Sequence, residues 1–291
     1  MILWMISMWL RFHTVQGTNC LCSSLGQYSL VCSFSDAHMG DTTRELFGRQ
    51  IPFRGRRIAE EVVTSLIGDK ENQIVSFGGC SAGARGSMVT IDLIREHLPP
   101  STKLIGLHDS GSYVDIDPLN SGYDKFTEQC RMAYDLYDEP EVNAACQEAY
   151  PDERWRCLCG QYMLPLVQTE SQMIIYQYDS YQVSNNVGHS PKYWSSSDCQ
   201  YATYEFRPKM LNVMEEIIAT AKHAVFGANC YAHCIVESSK VSDLKVDGMS
   251  TADQFFRLVD DHEKESAISS CVEVNCQPNC QPIDLGSHWK C

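Results

Sequence analysis

The chain has 291 residues, enough to bury a large core in one sizeable domain or two small ones. Its apolar fraction of 44% and charged fraction of 21% are those of an ordinary globular protein. A formal net charge of −14 argues against nucleic acid and anionic membrane surfaces as partners, because both are held by an excess of Lys and Arg.

The chain opens on "MILWMISMWL", which is too short to span a bilayer. It has the apolar character of a signal peptide, but no Lys or Arg precedes it and no small-x-small cleavage site follows. Residues 1–27 are therefore expected to be an atypical N-terminal segment, and 28–291 a single domain. No other segment reads as membrane-spanning. Residues 1–50 read as irregular apart from a short strand in "YSLVCSF" (28–34). In "IPFRGRRIAEEVVTSLIGDKENQ" the residues Ile58, Val62 and Leu66 recur at helical spacing, with Val63 and Ile67 alongside and Gly68 as a stop. "QIVSFGG" then reads as a buried strand. After it Ala84, Met88, Ile91, Ile94 and Leu98 mark one face of a helix that Pro99 and Pro100 end. "KLIGL" (103–107) is the next strand. Helix, strand, helix, strand with short connections predicts parallel strands with crossover helices. A cysteine-rich excursion over about 118–165 reads as a helical insertion. The sheet resumes with "SQMIIYQYDSYQ" (171–182), and a helix is expected over about 208–226, with Met210, Met214, Ile217, Ala221 and Val225 on one side. The tail "CVEVNCQPNCQPIDLGSHWKC" reads as a disulfide-type cap.

Fifteen cysteines fit an oxidising compartment, where they serve as cross-links. The count is odd, so at least one is free or paired between chains. Zinc is the competing reading of the short-spaced pairs Cys157/Cys159 and Cys276/Cys280. Structural zinc sites pair two such motifs at suitable spacing, and that arrangement is missing, so disulfides are expected and no metal.

Gly79-Cys80-Ser81-Ala82-Gly83 is G-x-S-x-G, placed between the buried-type strand and the amphipathic helix. That is the context of the nucleophile elbow of an α/β-hydrolase. Small residues two before and two after the serine let strand and helix approach closely. The plain alternative is a glycine-rich bend with a passive serine. A serine nucleophile needs a base and an orienting acid, in the chain order Ser, acid, His. Asp179 ends the apolar run "MIIYQY", and Asp109 in "GLHDSG" is its rival. Of nine histidines, His13 and His38 precede the serine, His97 and His223 fall within helical patterns, and His108 adjoins Asp109. His189 follows Asp179 closely, and His262 and His288 stand among polar residues. His233 in "NCYAHC" is the best placed, on a late loop flanked by Cys230 and Cys234, where a disulfide would give an imidazole fixed support.

Five segments in order resemble the pectin acetylesterase and Notum-type carboxylesterase family. They are "IPFRGRRIAEEVV", "GCSAG" with the later "GLHDSGSYVD", "RWRCLCGQYMLP", "QYDSYQ" and "NCYAHC". The resemblance covers roughly 28–280. It implies an α/β-hydrolase-like, mostly parallel sheet with flanking helices and a disulfide-rich helical insertion. It also implies ester hydrolysis through an acyl-enzyme, with Ser81 as nucleophile, His233 as base, Asp179 as acid and the Ala82 N–H as an oxyanion donor. Asp109 becomes a structural residue behind the elbow. No cofactor is implied. The partner is an ester-bearing substrate, either an acetylated polysaccharide or an acylated protein, and the expected product is a secreted monomer.

Two departures from the family pattern carry expectations of their own. Ala84 stands where the family has a second glycine. The family's other oxyanion donors lie in an upstream Gly-Gly-aromatic segment, whereas the only glycines before residue 35 are Gly17 and Gly26. The first strands of the sheet are expected to be absent, through truncation or a mis-started reading frame. The alternative is an inactive relative that only binds a glycan or a lipidated partner. The acyl pocket is expected to be lined by Tyr113, Leu158, Cys159, Tyr181 and Asn185, a mixed set that favours a short acyl group.

Overall fold

A computed structural model describes residues 6–13, 27–32, 36–119, 122–188, 196–236 and 238–280, with only the backbone course of the first two segments. Strands β1 (Ile6–His13) and β2 (Gln27–Cys32) come first, followed by a hairpin of β3 (Thr42–Leu46) and β4 (Arg49–Phe53). The expectation of an irregular start to the chain is thus corrected. Helix α1 (Gly55–Ile67), strand β5 (Ile74–Cys80), helix α2 (Ala82–Glu96) and strand β6 (Lys103–Asp109) follow as predicted. The insertion holds α3 (Phe126–Leu136), α4 (Ala144–Ala149) and α5 (Gly160–Met163). Then come β7 (Ser171–Asp179), a turn of helix α6 (Ser180–Gln182), α7 (Ser196–Tyr201), α8 (Arg207–Ala219) and β8 (His223–Ala232). The described chain closes with β9 (Lys245–Val246), β10 (Met249–Ser250), α9 (Thr251–Asp261) and β11 (Ala267–Ile268).

The main sheet has seven strands in the order β11-β8-β7-β6-β5-β1-β2. Five of them, β11 to β5, run parallel, and β1 and β2 add an antiparallel edge. Residues 6–13, part of the segment expected to be atypical and signal-like, lie in register against β5, with Met8 opposite Gly79. This is an α/β-hydrolase-like architecture, and its parallel strands are buried on both faces, as crossover helices require.

The helical stripes need one adjustment. In α1 the buried row is Ala59, Val63 and Ile67, and the predicted Ile58, Val62 and Leu66 flank it half-buried. In α2 the predicted Ala84, Met88, Ile91 and Ile94 are all fully buried. The helix expected over 208–226 stops at Ala219. Ala221 takes a left-handed φ of 55°, which breaks the helix, and the apolar run from His223 enters the sheet as β8. His223 and Val225 are therefore strand residues.

The short-spaced cysteines are all in disulfides, with separate partners. Cys157 joins Cys146, Cys159 joins Cys130, Cys276 joins Cys271 and Cys280 joins Cys230. Cys291 and His189 and His288 lie outside the described residues.

Candidate active site

β5 delivers the elbow. Ser81 sits between strand and helix at φ 58° and ψ −117°, a conformation that costs a non-glycine residue of order 1–3 kcal/mol and collects at functional sites. The small flanking residues are needed sterically. A Cβ on Gly79 would lie 2.7 Å from the Gly83 carbonyl carbon. Ala84 is accommodated because the residue facing its Cβ is Gly111. The Ser81 N–H donates to the Asp109 carbonyl at 2.8 Å, and its own carbonyl accepts from Arg85 N at 3.0 Å, fixing both sides of the turn.

β7 and β8 are neighbours, with Asp179 opposite Ala232, so their ends bring Asp179 and His233 together. His233 Nδ1 lies 2.8 Å from Asp179 Oδ2, an N–H donating to a buried carboxylate. The other carboxylate oxygen accepts from Gln182 N at 2.9 Å, capping α6. The sequence placed His233 after a long helix; it follows β8 instead, which is why it reaches a strand-end acid. The disulfide Cys80–Cys234 then ties the serine turn to the histidine loop. Cys80 and Cys234 also cluster with His233 within metal-ligand distances, but both sulfurs are spent in the disulfide, so no thiolate is left for an ion.

Asp109 does not compete for the histidine ring. It is fully buried, and its Oδ2 accepts from the backbone N–H of Ile235 at 2.7 Å and of Val236 at 2.9 Å. Ser110 Oγ donates to Asp109 Oδ1 and accepts from Cys234 N. Three successive backbone donors after His233 are thus held from β6. Burial pushes the Asp109 carboxyl up to about 6, against the pull of these hydrogen bonds.

Beside Ser81, the Tyr113 hydroxyl lies 2.9 Å from Ser81 Oγ. The Tyr113 ring stacks on Phe126 at 4.0 Å between centroids, and Tyr181 stacks on His233 at 5.4 Å. Arg85 is partly buried one helical turn after the serine. Its guanidinium lies 4.7 Å over the Phe126 ring and donates to the Leu158 carbonyl from Nε and Nη2. Among the described residues no carboxylate pairs with it, and burial holds its pKa below the ordinary value. Of the expected lining residues, Leu158 and Cys159 are buried in the insertion, and Asn185 is exposed, donating to the Tyr181 carbonyl. Sequence reasoning missed Arg85 and Phe126. Their signal was weak, a lone cation at i+4 from a serine and one aromatic in a polar stretch.

A sequence profile of the family described as Pectinacetylesterase matches residues 31–281. The chain is 26% identical over 209 residues to the palmitoleoyl-protein carboxylesterase NOTUM of Drosophila melanogaster, covering 68% of this chain and 29% of that protein. It is 25% identical over 197 residues to pectin acetylesterase 7 of Arabidopsis thaliana, covering 62% and 50%. To the NOTUM protein of Homo sapiens it is 24% identical over 259 residues, covering 79% and 51%. The chain thus spans about half or less of the length of these relatives. The solved structure of the Wnt deacylase Notum from Drosophila superposes with a TM-score of 0.75 at 20% identity, over 89% of this chain and 75% of that one. With the profile running through the elbow, the insertion and the histidine loop, the chain belongs to the pectinacetylesterase family, whose named relatives are carboxylesterases.

Proposed function

We propose that the chain hydrolyses carboxylic esters through a Ser81–His233–Asp179 triad. The observation that carries this reading is the 2.8 Å bond from His233 Nδ1 to the buried Asp179, next to a strained serine whose turn is cross-linked to the histidine loop. Asp179 fixes the tautomer with the proton on Nδ1, leaving Nε2 to take the Ser81 proton as Oγ attacks the ester carbonyl. The Ala82 N–H, at the start of α2, donates to the oxyanion. His233 returns its proton to the leaving alkoxide, and water releases the acid by the same route.

The acyl group is short. A long alkyl chain leaving Ser81 past Tyr113 would pack against the already buried Arg85 guanidinium, a charge that it cannot solvate. The five disulfides between described residues fit a protein made for an extracellular, oxidising medium, where an O-acetylated polysaccharide is the fitting substrate class. Labelling of the folded chain by a fluorophosphonate probe, lost in Ser81→Ala, is the expected result. An unlabelled folded chain would leave the rival reading, a relative that only binds its glycan or acylated partner.

A further inference from the structure

We infer that Tyr113 is a further catalytic residue of this site, its hydroxyl donating to the oxyanion that forms when Ser81 attacks an ester. The inference rests on Ser81 being the nucleophile.

The hydroxyl has one hydrogen-bond partner among the described residues, Ser81 Oγ at 2.9 Å. Tyr113 is otherwise enclosed, 3% exposed. Its chain position is fixed from several sides. The ring lies flat on Phe126, 12° from parallel, and meets Tyr181 edge-on. The next residue, Val114, is bonded in both directions by the Gln182 side chain, its N–H donating to Oε1 and its carbonyl accepting from Nε2. The backbone of Tyr113 itself takes a φ of 31°, a region in which a bulky side chain is an outlier. Strain of this kind persists only where the surroundings impose it, and here it aims a phenol at the nucleophile.

The chemistry follows from that placement. In the resting site the serine and tyrosine hydroxyls share one hydrogen bond. When Oγ bonds to the carbonyl carbon, the π pair of the C=O moves to its oxygen and the serine proton goes to His233 Nε2. Oγ becomes an ester-type oxygen and a poor acceptor. The newly charged oxygen on the same carbon is a strong one, within reach of a donor already 2.9 Å from Oγ. The Tyr113 O–H swings its hydrogen bond to that oxygen with no proton transfer. Burial, reinforced by the negative charge of Asp179, raises the phenol's pKa well above its usual value, so it stays a donor throughout the reaction. As the intermediate collapses, the alkoxide leaves with the proton from His233 and the bond returns to Oγ.

The test is Tyr113→Phe in the full chain, which keeps both ring contacts and removes one oxygen. With p-nitrophenyl acetate, kcat should fall by about 10²–10³-fold, the usual loss for one oxyanion donor, with KM nearly unchanged. The affinity for a trifluoromethyl ketone, which forms the same tetrahedral adduct, should fall by a matching factor, a correlation that a packing role would not produce. Fluorophosphonate labelling should slow in parallel. Tyr113→Phe at the parent rate, or faster, overturns the role of the tyrosine while Ser81→Ala remains inactive. Hydrolysis surviving in Ser81→Ala, or a parent chain that neither hydrolyses nor labels, overturns the nucleophile and this inference together. A fall in kcat without weaker ketone binding makes Tyr113 a packing residue and also overturns it.

Discussion

Cys80 and Cys234 form a disulfide with their Cα atoms 5.5 Å apart, and they are the residue before Ser81 and the residue after His233. Ser81 and His233, distant in sequence, are thereby close in covalent structure. The double variant Cys80→Ala/Cys234→Ala should lose about 2–5 kcal/mol of stability, because the bond closes a loop of 154 residues. It should lose activity besides, roughly 10- to 100-fold, through misplacement of the imidazole. Assays well below the variant's melting temperature separate the two effects. Parental turnover there would show that the contacts from Asp109, Ser110, Asp179 and Tyr181 suffice to position the loop.

Asp179→Asn should cut kcat by about 10⁴-fold with the fold intact, since an amide facing Nδ1 favours the wrong tautomer. Asp109→Asn should behave differently. It disturbs a carboxylate that takes two backbone N–H groups of the histidine loop, so the loss should appear in thermal stability as well as in kcat. Circular dichroism melts and single-substrate kinetics on both variants check the distinction, and equal effects on both measures would refute it.

Arg85→Leu should widen the acyl preference. Replacing the buried guanidinium over Phe126 by an alkyl group removes the penalty of packing a long chain against a charge. The kcat/KM ratio for p-nitrophenyl octanoate over acetate should rise by about tenfold or more. A ratio that stays put would mean that the acyl group leaves Ser81 in another direction.

Stability should fall in acid. Burial holds the pKa of His38 and His223 down to about 4 and that of His108 to about 3. A histidine whose folded value lies below its unfolded 6.5 contributes stability that is fully present above pH 6.5 and lost as pH falls toward the folded value. Asp109 works in the opposite sense. Its value is raised to about 6, so its contribution is full below pH 3.8 and lost as pH rises through 6. Near pH 5, these four groups take up about two protons net on unfolding, three on histidines less one from Asp109, or at most about 3 kcal/mol per pH unit, and Asp36, also raised by burial, reduces this. His223→Gln keeps a donor for the Val167 carbonyl and should remove one of the three. Denaturant titrations at pH 4.5, 5.5 and 7 measure the slope, and a flat profile would contradict the assignment.

Much of the fold could be read from the sequence, where local pattern and tertiary role agree. The buried run ending at Cys80, the stripe from Ala84 to Ile94 and the strand that "MIIYQY" forms up to Asp179 are such places. The failures occurred where pattern is ambiguous. "HAVFGANCYA" carries both a helical continuation of the preceding stripe and a buried strand, and the left-handed Ala221 that separates them has no signature in composition. Helix α9 did carry a signal, with Ser250 and Asp253 forming a capping box ahead of Phe255, Leu258 and Val259, but the surrounding charges hid it. The environment of Ser81 was least legible. That Tyr113 points its oxygen at the serine depends on Phe126 and Gln182, far away in the chain, and no spacing rule relates them.

Asp92, on the outward length of α2, accepts from Asn143 Nδ2, the backbone of Gln168 and Thr169, and Thr169 Oγ1. Arg85 on the Leu158 carbonyl is a second tie from the insertion to the helix that carries the elbow, and disulfides 130–159 and 146–157 brace the insertion internally. The insertion is therefore set against α2 as masonry rather than hung as a trapdoor. On the proposed reading, a new specificity in this chain would come from recutting stones one side chain at a time.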